Sequence, residues 1–542
     1  MRTFWVVDPA IEGRREISAR LRVQTDHAAM WVEQGKWHDV RQLEQAARLF
    51  ETKIYPVIRT AFGSEWTPGI DNDPRIHILH ATGLGERVLG YTSSMDEYRS
   101  DVYPLSNQAE MIAVNLDRVG VGSPTYQAML ARQFQRLVQW HQDRNEERWV
   151  KEGLAELAVE LCGFEVERLE QAYLEQTDTS LTDWTNSESQ RGAAYLFIAY
   201  FHERFGDTGI RALTSEPANG IAGINATLEK LDADLAFEDL FADWLATNIL
   251  DGAPNTAGSR YAYSRLDLGQ PTPAVVHEEY PVRVETSVHQ LGADYIVLRG
   301  KEDIRIRFVG EPETPLLGTE PHSGQCAWWS NRGDESLTTL THAFDLSDTT
   351  RATMTFWTWY DIEPHYDYAM VELSRDGGEH WDILSTPSGT GVDPHSNSPG
   401  WSYTGKSRGW IEEKIDLSEY AGEMVFVRFS YLTDEAVTGE GFLVDDISIS
   451  EIDYRESVET GISEWIAEGF LITNARVPQS YLALLIGTGQ PHTVERLPLE
   501  EDRTGEWTVA LEGGDAREYI LVVSAMAPLT AQPAPYQLRI GR

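Results

Sequence analysis

Residues 131–158 read ARQFQRLVQWHQDRNEERWVKEGLAELA, and two helical periodicities meet in this stretch. In the first, Leu130, Phe134, Leu137, Val138 and His141 recur at helical spacing and form a stripe expected to face a core. Arg132 and Arg136 stand four apart, about 160° either way from Phe134 at roughly 100° per residue, so they share the opposite side. In the second, Val150, Leu154, Leu157, Ala158 and Leu161 form the stripe, with Glu152 and Glu156 opposite. The polar connector QDRNEER is compact enough to fold the second helix back on the first. Two arginines of one helix can then meet two glutamates of the next. The competing reading is that both pairs are solvated, since charges at i,i+4 are the usual decoration of a helix surface. Periodicity alone does not separate the two.

The texture on either side sets the domain plan. Residues 14–62 carry helical periodicity, as in LEQAARLFETKIYPVI, where Leu43, Ala47, Leu49 and Phe50 line one side. RIHILHA, after Pro74, reads as a strand, and from residue 126 to about 250 the pattern is helical again. GAPNTAGSR and LGQPTPAVV make a turn-rich junction near residues 252–276. Beyond it come short alternating runs such as IRIRFVG, ATMTFWTWYDI, MVFVRFSYLT and GFLVDDISI, the pattern of an antiparallel sandwich. YLALLIG, EWTVALEG and EYILVVSA continue that style to the C-terminus.

Composition narrows the function classes. A chain of 542 residues, 41% hydrophobic and 24% charged, is ordinary for a globular protein and predicts about three or four domains. The formal net charge of −41 repels phosphate backbones and anionic lipid, which argues against nucleic acid as a partner, and suits calcium. No run of about 18 apolar residues exists, so no membrane span is expected. MRTFWVVDPAIEGRR lacks the basic and long apolar regions of a secretory signal, so the chain either stays inside the cell or is a trimmed piece. Cys162 and Cys326 fall in what read as different domains, which leaves no disulfide framework and no cysteine metal site; both are expected to be small buried apolar residues.

The opening stretch resembles the active-site region of the M6 metallopeptidases, the immune inhibitor A family. There H-E-x-x-H on one helix is followed by a W-V-N-E-G-L-x-E-like second helix. The aligned residues here are Arg132, Gln133, Phe134, Gln135 and Arg136, then WVKEGLAELA with Glu152. Flanking text is similar too: FGSEWTPGIDNDPRIHIL, SNQAEMIAVNLD, AAYLFIAYFHERFG and LFADWLATN. WWSNRGDESLTTLTHAFDLS, WYDIEPHYDYAMVELSRDGGEHW and GFLVDDISIS resemble the family's jelly-roll module related to MAM domains. The resemblance implies a multidomain α+β protein: a gluzincin-like, mostly helical domain over 1–265, a linker with strands over 266–315, a MAM-like jelly roll over 316–455 and a small β-sandwich over 456–542. Residues 283–310 pairing with the C-terminal domain, with the jelly roll as an insertion, is an arrangement left open. The resemblance also implies export to the cell exterior or surface.

The departures from the family pattern govern the functional expectation. The pattern uses two histidines and the glutamate equivalent to Glu152 to bind zinc, and the glutamate of H-E-x-x-H as general base. Only Glu152 is retained. Arginine stays protonated and has no lone pair for a metal, so Arg132 and Arg136 are not ligands, and Gln133 cannot take a proton from water. Zinc is therefore not expected, and no intact catalytic residue remains. The expected replacement is a salt-bridge cluster in which Arg132 and Arg136 hold Glu152 and Glu156 through charge-assisted hydrogen bonds.

Other candidates are weaker. His77 and His80 fall on opposite faces of a strand and cannot share an ion. His141 reads as a satisfied core histidine, and His202 has no supporting ligands. GWSYTGKS (400–407) and GKSRG (405–409) match phosphate-loop and nucleophile-elbow patterns but lack the strand before and the helix after that those chemistries need. Asp334, Asp445 and Asp446 resemble acidic positions that hold a structural calcium in related modules, with a solvated turn as the alternative. Trp328, Trp329, Trp357 and Trp359 could stack sugars, yet in FWTWY alternate residues face inward as core. The leading expectation is a non-catalytic family member that binds or scaffolds. The alternatives are an active metalloendopeptidase with unrecognised ligands and a binder of proteins or cell-surface glycans through the jelly roll.

Overall fold

The first secondary structure of the chain is strand, not the helix expected from residue 14 onward. In the computed structural model β1 (Arg2–Asp8) and β2 (Gly13–Gln24) form a hairpin, and β3 (Ala28–Glu33) extends it. Ile17 and Ala19, two apart, point into the core, so this part of the chain follows period two, and helical periodicity begins only at α1 (Val40–Leu49). The structure describes residues 1–542 except 11–12, 37, 166–167, 254–258, 334–335, 395–396, 435–436, 462 and 512–517.

β4 (Ile76–Ala81), β5 (Gly90–Tyr91) and β6 (Met111–Asn115) complete a six-stranded sheet of order β1-β2-β3-β4-β6-β5. β3, β4 and β6 run parallel, and β5 returns antiparallel to β6. One face, with Leu79 and Ala81, packs on Phe4 and Trp31. Ile76 and Ile78 point to the other side, where the helices lie. α1 passes through a π-helical turn at Phe50–Ile54 into α2 (Tyr55–Phe62). α3 (Pro124–Gln142), α4 (Arg148–Leu161), α5 (Leu169–Glu175), α6 (Glu188–Thr214), α7 (Gly220–Lys230) and α8 (Phe237–Leu250) follow.

The starts of the two helices that flank α4 are written locally. Ser123 accepts the Tyr126 N–H and Pro124 occupies the first turn of α3, while Ser187 and Gln190 form a reciprocal capping box on α6. α4 crosses α6 at Gly153, where a Cβ would sit 2.6 Å from the Ala194 carbonyl oxygen. Gly153→Ala must therefore push the two helices apart, and a loss of about 1–3 kcal/mol is expected in urea unfolding.

Two compact units divide the chain. The first joins Met1–Glu311 to Ser480–Pro528 and Pro533–Arg542. In it, strand Ile304–Gly310 pairs with both Thr504–Val509 and Ala534–Gly541, and strand Asp294–Arg299 pairs with Glu518–Ala525. These strands belong to a four-stranded and a five-stranded sheet with Phe308, Leu521, Leu538 and Ile540 in the core they share. Alternate residues of the five-stranded sheet, Val297, Leu484 and Val522, join the helical core beside Tyr173 and Trp244.

The second unit is Pro312–Gln479 with Leu529–Gln532. Its two larger sheets, centred on strands Gly441–Ile449 and Met424–Leu432, enclose Phe356, Phe429, Phe442 and Val444. Residues 456–479, assigned from sequence to the C-terminal domain, lie here instead. Ile466 pairs with Thr341 and Leu471 with Trp329, so the segment adds an edge strand to each sheet. Short strands of three residues carry too little alternation to show which sheet they complete.

Candidate functional site

The charged residues of α3 and α4 meet each other rather than water. Arg132 donates from Nε to Glu156 Oε1 at 2.9 Å and from Nη2 to Oε2 at 2.7 Å, a bidentate pair. Arg136 Nη2 lies 2.7 Å from both oxygens of Glu152. Glu156 is fully buried and Arg132 and Glu152 are each 8% exposed, while Arg136 is half-buried. The solvated reading fails at Arg132 because α3 is buried around its whole circumference, the side away from the sheet being covered by α4. Gln133 is buried as well, its side-chain oxygen accepting from the Thr92 hydroxyl at 3.4 Å.

α6 supplies a partner that helix periodicity did not reveal. Arg191 Nη2 donates to Glu156 Oε1 at 2.7 Å, so two guanidinium groups hold one carboxylate. Burial pushes the Glu156 carboxyl up, but Arg132 and then Arg191 outweigh it and hold it below the ordinary range. One turn further on, Glu160 accepts from the Tyr195 hydroxyl at 2.9 Å, and burial raises its carboxyl. Glu152, Glu156 and Glu160 thus form a ladder on one face of α4, answered by Arg136 and Arg132 from α3 and by Arg191 and Tyr195 from α6. The i,i+4 spacing of Arg191 and Tyr195 was visible in sequence, but the helix they would meet was not.

This donor set does not suit zinc. Every cationic group at the cluster is a guanidinium without a lone pair, and both oxygens of Glu152 already accept from Arg136. The nearby histidines are engaged elsewhere. His77 accepts the Trp31 indole N–H at 2.9 Å and lies 3.2 Å from Asp71. On the other face His80 sits between the Trp31 carbonyl and the Tyr126 hydroxyl, and burial lowers its pKa to about 4, so it is neutral. His202 pairs with Asp207. His141 is exposed and not a core histidine, because the apolar stripe of α3 ends one turn before the helix does.

In the second unit Asp445 and Asp446 are joined by His322, which sequence did not single out. His322 Nδ1 lies 2.7 Å from Asp446 Oδ2, the Ser323 hydroxyl donates to Asp446 Oδ1 at 3.0 Å, and the Ser323 N–H donates to Asp445 Oδ2 at 3.1 Å. One ligand atom from each of His322, Asp445 and Asp446 falls within 4.8 Å of the others. Burial raises the Asp445 carboxyl to about 6. Asp334 lies outside the described residues. Trp328 and Trp329 are buried, whereas Trp357 and Trp359 are half-buried, Trp357 under the stacked His322 ring at 3.8 Å. Residues 400–407 form irregular backbone leading into strand Ile411–Asp416, with no helix to present a phosphate or a serine. Cys162 is buried and Cys326 is half-buried, a partial correction to the expectation for that pair. No helix of the described residues is long and apolar enough to cross a membrane.

Residues 303–475 match the family model described as Immune inhibitor A-like, MAM domain. Over 163 residues, 29% of this chain and 17% of the relative, the chain is 31% identical to Pre-pro-metalloprotease PrtV of Vibrio cholerae. It is 28% identical over 172 residues to Immune inhibitor A of Bacillus thuringiensis subsp. alesti, covering 31% of this chain and 23% of that protein. Bacillopeptidase F of Bacillus subtilis is 30% identical over 96 residues, 6% of its length. The matched stretches span less than a quarter of each of these relatives. Residues 303–475 are thus similar to the MAM domain of immune inhibitor A-like proteins, and the relatives matched include the metalloprotease PrtV and Immune inhibitor A.

Proposed function

We propose that this chain is a non-catalytic member of the M6 immune inhibitor A family, a gluzincin-like body with a MAM-type jelly roll that serves as a binding or scaffold protein. The observation that carries the reading is the pairing of Arg132 with Glu156 and of Arg136 with Glu152, at positions where the family pattern has its metal ligands. Zinc would bring two positive charges to Glu152; here the Arg136 guanidinium brings one and takes up both carboxylate oxygens, while Arg132 is held by Glu156. Gln133 offers no general base, a loss typically worth about 10²–10⁴ in rate. Without a metal, nothing lowers the pKa of an attacking water from about 15.7 toward 7. Family resemblance supports export, with a protein or cell-surface glycan as the partner, and half-buried Trp357 and Trp359 as the aromatic surface left for a sugar.

Metal analysis of the purified chain, together with a casein or gelatin assay, tests this. The expected result is no stoichiometric zinc and no chelator-sensitive cleavage; both appearing together would establish the active metalloendopeptidase instead. The same analysis is expected to find calcium. The carboxylates of Asp445 and Asp446 are the hard oxygen donors that calcium takes, and we read them as a structural position for it.

A further inference from the structure

The segment from Tyr91 to Glu110, which leads from β5 into β6, is held from two sides. The β1–β2 hairpin forms one side. Trp5 N donates to Asn107 Oδ1 at 2.8 Å and Asn107 Nδ2 donates to the Trp5 carbonyl at 2.8 Å, so one amide side chain pairs with the outer edge of β1 as a neighbouring strand would. Val7 N donates to the Tyr91 hydroxyl at 2.9 Å, and the Arg14 guanidinium reaches Asp96, the Ser93 hydroxyl at 2.8 Å and the Leu105 carbonyl at 3.1 Å. α3 forms the other side, through Gln133 against Thr92 and the Trp140 indole N–H against Glu97.

Three carboxyls are enclosed between these walls: Asp96, Glu97 and Glu110, 2%, 9% and 2% exposed. Asp96 is answered by Arg14 and by Asn107. Glu97 faces Glu110 and Asp96, with Arg144 as the cation that acts on it. Glu110 faces Asp71 and Glu65 and accepts from its own backbone N–H and, at a long 3.4 Å, from Ile70 N. Glu65 is itself taken up by the Tyr55 hydroxyl and Arg59, and Asp71 by His77 and Arg2. His141 lies in the field of Glu65 and Arg144. Neither Glu97 nor Glu110 makes a salt bridge among the described residues.

We propose that this segment is a pH-sensitive flap, docked between the hairpin and α3 while Glu97 and Glu110 carry their protons and released when they lose them. Two buried, mutually repelling carboxylates with no salt bridge to offset their charge are costly, and moving the segment into water removes that cost. Burial, with repulsion from neighbouring carboxylates added, raises Glu97 to about 8 and Glu110 to about 7. The unfolded chain binds these protons only below about 4.3, so the stabilisation is complete in acid and is lost as pH rises through the raised values. Residues 99–102, exposed at the tip, leave the segment free to swing. The proposal does not depend on whether the chain is catalytic.

Hydrogen exchange of the full chain between pH 6 and 9, expressed as protection factors so that the intrinsic pH dependence cancels, reads this directly. The reporters are the Ala109 amide, bonded to the Asp96 carbonyl at 2.8 Å, and the Ser106 amide, bonded to the Tyr103 carbonyl at 3.0 Å. Protection there is expected to fall at least about tenfold, the change one pK unit represents, while strand Tyr368–Ser374 stays constant. The Glu97→Gln, Glu110→Gln double variant is expected to show almost none of that fall. A flat wild-type profile, or a double variant that falls as the wild type does, overturns the proposal. Should the double variant not fold, Glu97→Gln alone must reduce the wild-type fall, and an unchanged fall counts against the flap equally.

Discussion

Arg132→Ala is expected to destabilise the first unit by about 3 kcal/mol, because it leaves the fully buried Glu156 carboxylate with Arg191 as its remaining guanidinium partner. The cost comes from the stranded charge and not from the worth of the pair. Replacing both members, Arg132→Met with Glu156→Leu, should therefore recover much of the loss, since apolar groups of similar volume fill the same space without a desolvated charge. Arg136→Ala is expected to cost less, about 1 kcal/mol, because Arg136 is half-buried and partly solvated and its removal opens the Glu152 side chain to water. Urea unfolding of the four proteins at neutral pH checks the order. Equal losses for Arg132→Ala and Arg136→Ala, or a double variant no better than Arg132→Ala, would show that the cluster does not act through buried charge.

The second large effect is expected from rebuilding the family pattern with Arg132→His, Gln133→Glu and Arg136→His together. Without metal this variant strips Glu156 of Arg132 and Glu152 of Arg136, and should be destabilised by about 3–5 kcal/mol. Two imidazoles would then join the Glu152 carboxylate already present, adding the nitrogen donors that zinc requires and that positions 132 and 136 do not offer in the natural chain. Added zinc is expected to restore the melting temperature of the variant and to leave the wild type unmoved, since a ligand that binds only the folded state stabilises it by mass action. Zinc that raises the wild type equally would place its binding somewhere other than between α3 and α4. Cleavage of casein by the loaded variant would add that the rest of the protease-like machinery persists.

Much of the cluster was legible in the residues themselves. Arg132, Arg136, Glu152 and Glu156 sit at helical spacing, and a short polar connector brings their helices together, so the question of whether they pair could be posed before any fold was known. The strand Ile76–Ala81 and the alternating runs of the second unit were equally plain, because period two over six or more residues leaves little choice of conformation. Misreadings fell where local pattern is short or borrowed. Residues 13–33 were absorbed into a helical stretch because the neighbouring α1 is strongly periodic, and residues 466–473 lack the length to reveal the sheets they complete.

What the amino-acid sequence determined by itself is the kind of side chain at one place: arginine has no lone pair for a metal and glutamine no basic carboxylate, in whatever fold they stand. Only the tertiary structure decided what those side chains do instead. The burial of α3 on every side turned an ambiguous charged face into an enclosed one, and the crossing of α6 over Gly153 delivered Arg191 to Glu156 from 35 residues away. Helix periodicity reports the direction a side chain takes from its own axis; which partner waits there depends on contacts between segments distant in sequence, and those are set by packing.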